Sequence, residues 1–325
     1  MNRMSLSQAY SLGLAEEMRR DPSIFVAGTD LFERGGHWAQ VRGLGDEFGR
    51  ERVYNTPISE AAIVAAGVGA AMAGLRPVID LNFIDFSFGS MDEIVNQAAK
   101  VRYMWDVPVP LVIRGQFGTS GGGAQHSNLI ESWFAHVPAL LVATPSTPAD
   151  AKGLIKASLR GSDPVIFLMH KSLTGTRGAV PDGDEIVPFG QAAIRRAGKD
   201  LTIVSYSWMA TEAMRAAATL AEEDIYVEFI DLRTVFPLDL ATIETSVRKT
   251  RRLIVATEAP RFGGIAAEIS ASIAEALRDQ LAAPIVRVGG AHAPVPHSPA
   301  LMHDFAPTQA DVVSAALTLV GPRVG

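Results

Sequence analysis

Two residues in this chain have both the chemistry and the setting to move protons. Glu60 ends the run Tyr54-Asn55-Thr56-Pro57-Ile58-Ser59-Glu60, where a β-rich stretch gives way to the small-residue segment 61–71. A helix of Gly and Ala lets another chain approach closely, and a carboxylate at its mouth would then be largely dry. Burial favours the protonated or proton-sharing form of a carboxyl. Such a group can exchange a proton with a ring nitrogen of a bound heterocycle. The plainer role of the same residue is to complement the helix dipole. His126 closes the glycine-rich run Gly115-Gln116-Phe117-Gly118-Thr119-Ser120-Gly121-Gly122-Gly123-Ala124-Gln125-His126. Glycines there let a ligand or a neighbouring chain come near, and an imidazole titrates close to neutrality. The plainer role of His126 is structural, as a loop residue at a subunit contact.

The elements that must position these residues follow from the pattern of apolar runs. Strand-like stretches cover 24–28, 76–82, 110–114, 140–144 and 165–170, with helical patterns over 60–73, 91–105 and 148–160. A further helix is expected from His126 through Trp133. This alternation predicts a parallel sheet covered by helices. Thr147 before Pro148 reads as an N-cap followed by a proline suited to the first helical turn. Residues 171–190 are rich in Gly, Pro and Asp and read as a linker. Beyond it strands are expected at 201–205, 226–231, 252–257 and 284–288, with helices over 211–223, 240–249 and 264–281. The fold class is therefore α/β, with one domain over 1–190 and a second over 191–325.

Composition bounds the function. The chain has 325 residues, 48% of them apolar, and a net charge of -6. That is long enough for two domains and too apolar for a disordered chain. The acidic balance argues against a nucleic-acid surface. With no cysteine, disulfides and thiolate metal sites are excluded, which is compatible with a cytoplasmic protein. The N-terminal residues lack the apolar core of a secretory signal, and no apolar run reaches membrane-spanning length.

Taken in order, the two motifs resemble the beta subunit of the thiamine-diphosphate-dependent 2-oxo acid dehydrogenases (the decarboxylating component of pyruvate, branched-chain and acetoin dehydrogenase complexes). The resemblance extends through segments 69–77, 92–100, 150–156, 230–234, 258–260 and 263–269 and so covers nearly the whole chain. It implies two three-layer domains, a pyrimidine-binding-type parallel-sheet domain followed by a transketolase C-terminal-type domain. In that family the glutamate at the position of Glu60 hydrogen-bonds the thiamine aminopyrimidine and promotes loss of the thiazolium C2 proton. The general acid–base work needs a tuned carboxyl, while the cofactor supplies the electron sink. Phe86 matches the aromatic that packs on the aminopyrimidine. Asn82 stands where relatives carry a longer neighbour of that ring. His126 matches the histidine that assists proton or lipoyl-linked acyl transfer. The other histidines considered, His37, His136, His292, His297 and His303, are expected to be surface or structural.

The resemblance also implies partners. A thiamine-diphosphate enzyme usually holds Mg²⁺ and diphosphate through a Gly-Asp-Gly stretch followed by Asn, and this chain has none. An alpha subunit is expected to supply those contacts in an α2β2 heterotetramer. A lipoyl acyltransferase core is a further expected partner, and a 2-oxo acid the substrate. A monovalent cation, K⁺, is expected at segment 158–163, where Asp163 offers a side-chain oxygen suited to a hard cation; the ordinary role of Asp163 is a turn before Pro164.

Two positions depart from the family pattern. Gly28-Thr29-Asp30 has Thr29 where relatives carry a glutamate of an acidic proton path. In Gly290-Ala291-His292-Ala293-Pro294-Val295-Pro296, His292 replaces an aspartate that helps dock the acyltransferase core. These leave open a carboligase or split transketolase that passes the carbanion to an aldehyde or ketone. A non-catalytic paralogue is a third reading, opposed by Glu60, Phe86 and His126.

Overall fold

A computed structural model describes residues 2–321. The chain divides into two compact units. The first comprises 1–117 and 133–189, and the second comprises 118–132 and 190–325.

In the first unit, strand β1 (Asn2–Ser5) leads into helix α1 (Leu6–Arg20). Ser5 caps this helix in a reciprocal capping box with Gln8. Strands β2 (Ile24–Gly28), β3 (Val53–Asn55), β4 (Arg76–Phe83), β5 (Val112–Phe117), β6 (Leu141–Ala143) and β7 (Val165–His170) pair in parallel, in the order β6-β7-β5-β4-β2-β3. Between them come α2 (Leu44–Phe48), α3 (Glu60–Met72), α4 (Val101–Trp105), α5 (Glu131–Ala135, whose first two residues fall in the second unit) and α6 (Pro148–Arg160). As the sequence predicts, Thr147 caps α6 with Pro148 in its first turn. Apolar side chains of the strands form the core, Val26, Val78, Ile113, Ile166 and Phe167 among them. Strands β2 and β7 bury both faces, so they read as continuous apolar runs.

Three local expectations are corrected. The helix expected over 91–105 is broken into a π-helical turn (Glu93–Ala98) and α4, which ends where Asp106 takes a left-handed conformation. Residues 127–130 are irregular, so the helix after His126 starts only at Glu131. The stretch 171–190 holds a strand, β8 (Arg177–Val180), paired antiparallel with β1.

In the second unit, β9 (Ala193–Arg196), β10 (Leu201–Ser205), β11 (Val227–Asp231), β13 (Leu253–Pro260) and β14 (Val286–Gly290) make a sheet of order β14-β13-β10-β11-β9, with β9 antiparallel at its edge. Strand β12 (Thr234–Phe236) follows β11. Helices α7 (Ser207–Glu222), α8 (Leu240–Thr250), α9 (Ile265–Leu277), α10 (Pro299–Phe305) and α11 (Gln309–Val320) complete the unit. Its core gathers Leu201, Ile203 and Phe229 from the strands, Met209, Ala213 and Leu220 from α7, and Val312 from α11.

Candidate active site

Ligands of open parallel sheets lie beyond the carboxyl ends of the strands, and in the first unit that edge is built around β4. Asp80 on β4 stands in register with Arg114 on β5, and a bulge follows between Asp80 and Phe83. Bulges re-aim side chains and recur beside functional sites. Here the extra residue puts Asn82 at φ 59, a left-handed conformation that Asn tolerates better than most L-residues. Asp80 fixes that turn. Its Oδ1 accepts the Asn82 N–H at 2.8 Å, and its Oδ2 accepts Gln40 Nε2 at 2.8 Å. Fully buried Arg114 donates to both oxygens at 3.2 and 3.3 Å. Gln116, with its amide oxygen turned to Arg114, accepts from Nη2 at 2.6 Å and donates to the Met169 carbonyl at 2.8 Å. Gln40 in turn accepts the Trp38 N–H at 2.9 Å, so the same carboxylate ties the loop after β2 to the end of β4.

The consequence at the surface of this edge is an acceptor and a ring. Asn82 Oδ1 is buried and has no partner among the described residues. Phe86, in the 3-10 turn Ile84–Ser90, is 37% exposed and meets Phe83 edge-on at 5.7 Å. Phe83 also meets His37 at 5.9 Å, Trp38 at 6.5 Å and the Lys171 ammonium at 5.8 Å. Gly115 is required beneath this turn, because a Cβ there would lie 2.8 Å from the Ile84 backbone.

Glu60 opens α3, which packs against the turn holding Phe86. Ser59 gives the helix no side-chain cap, so the first-turn amides and the carboxylate remain available to a ligand. In this chain by itself Glu60 is half-buried. The dryness expected from sequence therefore needs a covering group that this unit does not supply.

Glu60, Asn82 and Phe86 thus belong to one unit and to neighbouring elements. Asp163 does not join them. It immediately precedes Pro164 and β7, at the amino-terminal edge of the sheet, with its carboxylate held by Arg102. The Leu159 and Gly161 carbonyls accept from Arg76 Nη1 at 2.9 and 2.6 Å. As folded, the segment directs these oxygens to two guanidinium groups. Among the described residues no group of three or more His, Cys, Asp or Glu side chains could hold a metal ion.

His126 belongs to the second unit, in the loop 118–132. Its N–H donates to the Gly123 carbonyl at 3.3 Å. A Cβ on Gly122 would meet the His126 Cβ at 3.0 Å, and one on Gly123, at φ 66, would lie 3.6 Å from the His297 ring. Thr119 donates its N–H to Glu258 Oε1 at 3.1 Å and its hydroxyl to the same oxygen. Tyr206 donates its hydroxyl to Glu131 Oε1 at 2.6 Å. Burial, then the neighbouring Glu131 and Glu258, push the Tyr206 phenol well above its ordinary range. Sequence reasoning missed Asp80, Arg114, Tyr206 and Glu258. Charged residues inside otherwise apolar strands were the available signal for the first two.

Local partners are found beside the first departure, at Asp30, and at the second, His292. Asp30, at φ 59, pairs with Arg34 at 3.0 Å. The His292 ring lies 5.6 Å from that of exposed Phe262.

Residues 2–176 match the family described as transketolase, pyrimidine binding domain, and residues 190–312 match transketolase, C-terminal domain. The acetoin:2,6-dichlorophenolindophenol oxidoreductase subunit beta of Cupriavidus necator is 43% identical, covering 97% of this chain and 96% of that protein. The chain belongs to the family of 2-oxo acid dehydrogenase beta subunits. The 2-oxoisovalerate dehydrogenase subunit beta of Bacillus subtilis is 39% identical over 98% of each chain. A mitochondrial pyruvate dehydrogenase E1 component subunit beta-2 of Oryza sativa is 43% identical, covering 96% of this chain and 85% of its own length. A solved structure titled split gene transketolase, inactive beta4 tetramer, superposes with a TM-score of 0.80 over 98% of both chains at 24% identity. That likeness confirms the two-domain α/β architecture. Among the described residues no helix is long and apolar enough to cross a membrane.

Proposed function

We propose that this chain is the beta subunit of a heteromeric thiamine-diphosphate enzyme that decarboxylates a 2-oxo acid and passes the acyl group to a lipoyl domain. The observation that carries the reading is the trio at the carboxyl edge of β4. A helix-mouth carboxylate (Glu60), an orphaned buried acceptor (Asn82 Oδ1) and a presented aromatic face (Phe86) suit an aminopyrimidine, which offers a ring nitrogen, an exocyclic amine and a flat ring. When bound, the cofactor supplies the electron sink that makes decarboxylation feasible. This chain's part is narrower. With the cofactor bound, Glu60 would hold a proton at the ring nitrogen, Asn82 would accept from the amine, and Phe86 would pack on the ring. His126, on its glycine loop, serves proton or acyl transfer at the reacting carbon.

An alpha subunit covers Glu60 and contributes the Mg²⁺–diphosphate site, in an α2β2 assembly that also engages a lipoyl acyltransferase core. The division near residue 190 separates the pyrimidine-binding-like from the C-terminal-like domain. A cytoplasmic setting completes the reading. It draws on the cysteine-free composition, while the rice relative carries a mitochondrial label. A K⁺ at segment 158–163 would have to compete with Arg76 and Arg102 for the Leu159, Gly161 and Asp163 oxygens.

The test is co-purification with the alpha subunit, addition of thiamine diphosphate and Mg²⁺, and measurement of CO₂ release from pyruvate and branched 2-oxo acids. Cofactor-dependent release with an artificial electron acceptor is expected. Release that occurs only with aldehyde acceptors would establish the carboligase instead, and no release with any acid would reject the reading.

A further inference from the structure

We infer that Tyr206 and Glu258 are positioning residues for His126, holding from the second unit both ends of the loop that carries it. The inference rests on the role given to His126 above. The loop 118–132 has little regular structure, and Gly118, Gly121 and Gly123 all have positive φ. A glycine-rich loop of this kind loses much conformational freedom when ordered, so something must hold it.

Two buried contacts bracket the histidine. Before it, Thr119 gives both its N–H and its hydroxyl to Glu258. After it, Glu131 accepts the Tyr206 hydroxyl. All four side chains are buried. Glu258 lies near the end of β13, and Tyr206 follows directly after β10. These strands are parallel neighbours, so both anchors rise from the same edge of one sheet.

Burying two carboxylates near one phenol is a costly way to gain stability alone, since apolar side chains of similar volume often serve as well or better. The polar arrangement offers direction: Glu258 accepts from Thr119 and Glu131 from Tyr206, each at a fixed place. Gly122 then lets the backbone fold beneath His126. The histidine therefore lies within the pyrimidine-domain match, residues 2–176, yet is carried by the second unit.

The experiment uses the full chain with its alpha subunit and compares Tyr206→Phe, Glu258→Gln and Thr119→Val. Hydrogen exchange of amides 119–131 is read first, with circular dichroism and melting to check the fold. Exchange there should accelerate by about 10- to 100-fold, as expected for losing a buried bond to a charged group. Turnover is then measured with a lipoyl acceptor and with an artificial acceptor, with and without His126→Ala. Tyr206→Phe should slow lipoyl acylation by roughly tenfold, more than dye reduction, and should add nothing to His126→Ala. Unchanged loop exchange in all three variants overturns the proposal. Losses that multiply on the His126→Ala background also overturn it, by showing a general structural effect. Full lipoyl activity of His126→Ala would instead reject the role of His126, while the exchange data would still decide whether the anchors hold the loop.

Discussion

Replacing Arg114 by Met probes the most buried charge in the candidate site. The guanidinium is fully enclosed and faces Asp80, which is also buried. Without it, Asp80 keeps only two neutral donors, Gln40 Nε2 and the Asn82 N–H. Removing one partner of a buried ion pair costs about 3–5 kcal/mol, because a charge is left uncompensated. For a unit of this size about 1 kcal/mol moves the melting temperature by roughly 2–4 °C. The expected drop is therefore about 6–20 °C in the isolated chain, read by calorimetry. Combining Arg114→Met with Asp80→Asn should cost less than the two single changes summed, by about 1 kcal/mol or more. A fall of less than about 2 °C for Arg114→Met, or strict additivity in the double variant, would refute the pair as the anchor of the β4 bulge.

Two further outcomes follow from the same geometry. Asn82→Gly removes both the left-handed side chain and the orphaned acceptor; stability should hold or rise slightly, while affinity for thiamine diphosphate in the reconstituted complex falls by about three- to tenfold. Unchanged affinity in a cofactor titration would remove Asn82 from the site. The second outcome concerns pH. Hydrogen bonds from Arg160, then Lys156, hold the Asp184 carboxyl below its usual range. Its contribution is therefore present above the unfolded value, about 3.9, and is lost as pH falls through the folded one. The melting temperatures of wild type and Asp184→Asn should begin to approach one another only below about pH 4; a constant offset from pH 7 to pH 2 would contradict this.

Much of the fold is legible in the sequence because buried parallel strands are dense in Val, Ile and Leu. β7 and α6 fall on their expected residues, and α6 announces itself through Thr147 and Pro148. β5 begins after Pro110, two residues later than expected, and runs on through Gly115 to Phe117. The glycine looked like the end of a strand but serves close backbone approach. Helix α1 was readable from Ser5 and Gln8 and from the buried spacing of Leu6, Tyr10, Leu14 and Met18, a local signal passed over. The site divides along the same line. Glu60, Phe86 and His126 sit in recognisable local motifs. The contacts at the Asn82 turn and at the end of the His126 loop, Asp80 with Arg114 and Tyr206 with Glu131, join residues far apart in the chain. No local pattern specifies which distant charge will meet which.

In the proposed function the Glu60 carboxyl holds the proton that activates the cofactor. Glu60→Gln keeps the size and polarity of the side chain but removes that proton exchange. Measured as CO₂ release by the purified complex with its alpha subunit, turnover should fall by at least about 100-fold, within the range of general acid–base contributions, while assembly and cofactor binding persist. Turnover within about twofold of wild type, with the complex intact, would contradict the account, since general acid–base loss is far larger than that.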